Sequence, residues 1–88
     1  MSHSKKRIQE VWDKAKKVRG KNPNLYRKDA CGNVIYRHSY GKQSPMAWEM
    51  DHIVPKAKGG TNKTSNLQPL QWQANRTKST RKRSYCRK

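Results

Sequence analysis

Acidic residues are scarce in this chain: its 88 residues include five Asp and Glu against 22 Lys and Arg, a formal net charge of +17. So one-sided a balance argues against a small acidic metabolite as sole partner, which needs few cations, and favours a polyanion. Long hydrophobic runs are lacking too. No uninterrupted apolar stretch exceeds three residues, so neither a transmembrane helix nor a secretory hydrophobic segment is expected. Cysteine is nearly absent. Cys31 and Cys86 form no CxxC pair, so no structural zinc is expected. In a chain read as cytoplasmic, the two are expected to be ordinary thiols rather than a disulfide. With 31% of residues apolar, one small domain with a thin core is the expectation.

The charge that is present is unevenly placed. Residues 1–28 carry ten basic and two acidic groups, residues 29–75 five and three, and residues 76–88 seven and none. Two cationic flanks therefore enclose a nearly neutral middle. In residues 4–19, Ile8, Val11, Trp12, Ala15 and Val18 draw one stripe on a helix, with Gly20 and Asn22-Pro23-Asn24 as its stop. Residues 25–27 and 34–37 flank turn-forming Asp29-Ala30-Cys31-Gly32-Asn33 and suggest a hairpin. Residues 48–54 read as a strand ended by Pro55, residues 56–65 as a polar loop, and residues 66–70 as an edge strand containing Pro69. A helix anchored by Trp72 is expected from Gln71 to about Lys82, followed by a frayed basic tail over 83–88.

Within that strand–loop–strand–helix half stand Asp51-His52, then Asn66, then Asn75, with 13 and 8 residues between them. Ile53-Val54-Pro55 and Gly59-Gly60 connect them, and Asn75-Arg76-Thr77-Lys78-Ser79 closes the set. Over about residues 25–82 the chain resembles the HNH endonuclease family. The Asp-His/Asn/Asn version is similar to the HNH domains of CRISPR effectors, and Glu49 matches a Glu of colicin DNases. The resemblance implies an α+β fold: a ββα-metal core over 25–82, here with an added N-terminal basic helix (1–24), a short hairpin and a basic tail (83–88). It departs from many members in lacking two Cys pairs around a zinc.

The residue chemistry points the same way. Phosphodiester hydrolysis needs a base for water, a cation for developing charge, and positioning groups. His52 can serve as the base, since imidazoles ordinarily titrate near ~6.5. Asp51 and the amide oxygen of Asn75 are hard ligands that suit Mg²⁺ or Mn²⁺ better than Zn²⁺ or Ni²⁺. Asn66 is expected to pin the long loop by side-chain-to-backbone hydrogen bonds, as its family counterpart does, and Glu49 to orient the site. Gln71, Asn75 and Lys78 share a helix face, which puts Lys78 or Arg76 on phosphate.

The resulting expectation is a metal-dependent endonuclease acting on double-stranded DNA, nicking one strand per site as a monomer or weak dimer, with no membrane association. Two alternatives stand beside it. One is a non-catalytic cationic nucleic-acid-binding module, which would not need the Asp51-His52/Asn66/Asn75 set. The other is an RNA-directed nuclease of the same fold.

Overall fold

The computed structural model describes residues 3–78 and Cys86. Helix α1 (Lys5–Trp12) is capped by Ser4, whose hydroxyl oxygen accepts from the Arg7 amide at 3.1 Å, filling one of the donors a helix start leaves open. The apolar stripe is used only as far as Trp12. The helix expected to reach Arg19 stops there because a tertiary partner takes the next carbonyls. Arg27, 8% exposed, donates to the carbonyls of Asp13 (3.0 Å) and Ala15 (3.1 Å), and through Nε to Pro23 (2.9 Å). Released from the helix, residues 16–17 extend as strand β1 (Lys16–Lys17).

Strand β1 pairs antiparallel with β2 (Tyr26–Lys28), which pairs antiparallel with β3 (Val34–Tyr36). The expected hairpin is therefore present, with a third strand added. Asp29, 4% exposed, organises its turn: Oδ1 accepts from the amides of Cys31 and Asn33 at 2.9 and 2.8 Å. Its other oxygen accepts from the Gln71 amide at 2.8 Å and so ties the hairpin to the second half of the chain. The expectation of free thiols is corrected here. Cys31, in the same turn, is disulfide-bonded to Cys86 across a sequence separation of 55, with Cα atoms 5.3 Å apart. Neither the lack of a CxxC pair nor a guessed compartment measures distance in space, and the fold closes that distance.

The second half contains β4 (Trp48–His52) and β5 (Leu67–Gln71), an antiparallel ribbon with Trp48 opposite Gln71, Asp51 opposite Gln68 and His52 opposite Leu67. Helix α2 (Trp72–Lys78) follows without a loop. Gln71 makes this possible, since its side-chain oxygen accepts from the Gln73 and Ala74 amides, each at 3.0 Å. Residues 79–82 of the expected helix, and the basic tail apart from Cys86, lie outside the described residues. The fold is α+β, with a ββα unit from β4 to α2.

Trp12, Ile35 and Trp48 form the core cluster, with Ile8 and Tyr40 packed against it. Trp12 and Trp48 meet with ring centroids 5.4 Å apart, and Nε1 of each donates to a backbone carbonyl, Pro23 and Tyr36 respectively, at 3.0 Å. The indoles thus bury their rings without stranding a donor. Trp72 differs from the expected anchor. It is only half-buried, its Nε1 donates to the Ser44 carbonyl at 2.9 Å, and Ala74 and Lys78 are the buried residues of α2. No helix among the described residues is long and apolar enough to cross a membrane.

Candidate active site

The ββα unit brings Asp51, His52 and Asn75 to one cavity of about 350 Å³, with Lys56 also on its wall. Asp51 and His52 are adjacent in β4, yet both reach it, Asp51 from the interior at 4% exposure and His52 from the half-exposed strand end. Just past His52 the ribbon opens, and the Ile53 amide donates to the Asn66 carbonyl at 2.8 Å.

Asn66 holds the loop that follows. Its side-chain oxygen accepts from the Val54 amide at 2.9 Å, and its side-chain nitrogen donates to the carbonyls of Val54 (3.1 Å) and Thr61 (2.8 Å). Gly60 lets the loop fold back on itself, because a Cβ there would lie 1.7 Å from the Val54 carbonyl oxygen. From the other side Lys14 donates to the carbonyls of Thr64 (2.7 Å) and Leu67. Partial burial lowers the pKa of that ammonium.

The closed loop delivers Asn62, whose Oδ1 sits 2.8 Å from His52 Nε2. With that oxygen accepting, Nε2 carries the proton and Nδ1 is the ring nitrogen left with a lone pair. Nothing in the spacing of Asn62 from the motif singled it out. Its contact exists only because Asn66 and Gly60 shape the loop.

On the opposite side, Asn75 donates through Nδ2 to Glu49 Oε1 at 2.8 Å. That bond turns the Asn75 amide oxygen away from Glu49 and fixes its role as acceptor. Glu49 Oε2 is 3.1 Å from Arg76 Nη2, and the Arg76 guanidinium also lies over the Trp72 ring, 5.5 Å from its centroid. The Arg76 side chain keeps 58% of its surface exposed, so it can still meet a phosphate. Nearby, Tyr40 has its pKa raised, first by burial and then by the charge of Glu49. His3 shares a neighbouring cavity with Tyr40, Glu49 and Asn75, and its pKa is lowered by burial first and then by nearby positive charges.

Lys78 is not where the helix-face reasoning put it. Its side chain is 1% exposed, with Nζ 3.1 Å from Asp51 Oδ1 and 2.8 Å from the His52 carbonyl. The shared face of Asn75 and Lys78 turns inward onto β4, so the ammonium meets Asp51 rather than solvent. Gln68, directly across the ribbon, donates to Asp51 Oδ2 at 2.8 Å. Cross-strand register, not motif spacing, selects it.

Asp51 and Asn75 line this cavity and carry side-chain oxygens that could hold a hard cation. No group of three or more His, Cys, Asp or Glu side chains that could hold a metal occurs among the described residues. Two oxygen donors with room for water fit Mg²⁺ or Mn²⁺, which keep several waters, better than ions that want a closed nitrogen or sulfur set.

A family model described as HNH endonuclease matches residues 30–81, more than half of the chain. No curated protein and no solved structure matches the chain. HNH nucleases act on nucleic acids and generally use a divalent metal. The ββα unit from β4 to α2, and Asp51, His52, Asn66 and Asn75 within it, fall inside the matched residues, and the chain belongs to the HNH endonuclease family.

Proposed function

We propose that the chain is a metal-dependent endonuclease that hydrolyses DNA phosphodiester bonds and nicks one strand per binding event. The observation that carries this reading is the His52 imidazole, held at Nε2 by Asn62, facing the same cavity as the oxygen donors Asp51 and Asn75. A binding module has no need of an oriented base beside a hard-oxygen pair. His52 Nδ1 takes a proton from water, which attacks phosphorus in line with the departing 3′-oxygen. This leaves a 5′-phosphate end, and a 3′-hydroxyl end once the departing oxygen takes a proton from solvent. Asp51 and Asn75 would hold a divalent ion, which would supply stabilisation of the negative charge that develops as the phosphodiester breaks. Asn66 keeps Asn62 and the loop in place, Glu49 orients Asn75, and the rim cations Arg76 and Lys56 bind phosphate.

The test is incubation with supercoiled plasmid, and separately with RNA, in Mg²⁺, Mn²⁺ or EDTA. Relaxed circles appearing with either metal and not with EDTA support the reading. Retarded but uncut plasmid under every condition would make the chain a binding module, and cleavage of RNA alone would redirect the substrate.

A further inference from the structure

The Lys78–Asp51 pair occupies the place a metal ligand would need free. Asp51 Oδ1 faces Lys78 Nζ at 3.1 Å, and Oδ2 accepts from Gln68 at 2.8 Å, so both carboxylate oxygens already have donors. Both members are nearly solvent-free, at 1% and 4% exposure, where water does little to screen charge. Glu49, on the same strand, is itself paired with Arg76, and among the described residues Lys56 adds a cation to the cavity wall. Summed over these described groups in and beside the cavity, there is no net negative charge with which to draw in a dication. An ion approaching Asp51 must share an oxygen with an ammonium or push it aside, against mutual repulsion. A phosphodiester entering the cavity brings the missing negative charge.

Resting on the nuclease reading above, we propose that Lys78 acts through Asp51 as a positioning residue that makes divalent-ion binding conditional on the nucleic-acid phosphate. Free protein binds the ion weakly and the complex binds it tightly. By linkage the ion tightens nucleic-acid binding by the same factor. The pair, with Gln68, also holds the buried carboxylate in one orientation before the ion arrives.

The test is Mn²⁺ titration followed by electron paramagnetic resonance of the free ion. Full-length protein carrying His52→Ala is used to prevent scission, with and without a short DNA duplex, and binding to duplex alone is subtracted. The expected result is at least ~10-fold tighter Mn²⁺ binding with duplex, within the usual range of coupling between sites. Adding Lys78→Gln, which keeps a donor and removes the charge, should shrink the difference below ~3-fold, mainly by tightening the duplex-free affinity. Lys78→Arg, which keeps the charge, should retain the coupling. Equal affinity with and without duplex in the His52→Ala parent overturns the proposal even if neither further variant folds. So does unchanged duplex-free affinity in Lys78→Gln, or Lys78→Arg behaving like Lys78→Gln. Each of these leaves the metal-site reading intact, whereas no stoichiometric Mn²⁺ binding in any state overturns both.

Discussion

On the proposed reading, Asn62 does for His52 what an orienting group does for a catalytic imidazole: an oxygen at Nε2 favours the tautomer protonated there. The contact is a single 2.8 Å hydrogen bond, so its removal leaves the ring free to rotate and to change tautomer. Asn62→Ala should lower single-turnover scission by about 10–100-fold, as loss of an outer-shell partner commonly does, with nucleic-acid affinity unchanged by fluorescence anisotropy. Glu49→Gln should be milder than Glu49→Ala, because an amide oxygen can still accept from Asn75. Asp51, His52, Asn66 and Asn75 could be singled out through the HNH resemblance that their residue types and spacing carry. Asn62 and Gln68 could not, since one depends on how a ten-residue loop closes and the other on strand register. Lys78 was misplaced for a related reason. Helical periodicity says which residues share a face, and says nothing of whether that face looks outward.

Two elements depend on groups that look ordinary in the sequence. Arg27 resembles one more surface cation in a chain with 22 Lys and Arg, yet it is buried and holds three carbonyls, two of them just beyond the end of α1. Arg27→Ala should destabilise the fold by about 2–4 kcal/mol through loss of charge-assisted hydrogen bonds, seen as a lower urea midpoint at unchanged slope. An unshifted midpoint would mean that the carbonyls find other donors and that α1 ends for another reason. The periodic Ala15 and Val18 suggested a longer helix because periodicity carries no information about a distant guanidinium. In the motif loop, Gly60→Ala forces the chain away from the Val54 carbonyl. That should cost about 1–3 kcal/mol and reduce scission together with stability, since Asn62 would move with the loop. The strand–loop–strand–helix order was readable because Pro55, Gly59 and Gly60 punctuate it strongly, whereas Pro69 sits inside β5 opposite Met50.

Across the whole molecule, the Cys31–Cys86 bond joins the hairpin turn to the C-terminal segment. Closing a loop of this length should contribute about 2–4 kcal/mol. Cys31→Ser should lower the unfolding midpoint accordingly, and dithiothreitol should lower that of the natural chain but not that of the variant. The basic flanks should supply affinity by releasing counterions, so log affinity falls with log salt by about 0.9 per phosphate contact. Arg81, Lys82 and Arg83 lie outside the described residues, and truncating at 81 would also remove Cys86. Replacing those three with Gln is the cleaner change and should flatten the salt slope by about 2–3 units, with little effect on the rate at saturating DNA.

Scission and affinity measured side by side for the natural chain and His52→Ala, at saturating DNA with Mg²⁺, probe the active-site assignment most directly. With His52 as general base, turnover falls by about 10²–10⁴-fold while DNA affinity stays nearly unchanged. Turnover preserved in His52→Ala, or lost only in step with binding, would contradict that assignment.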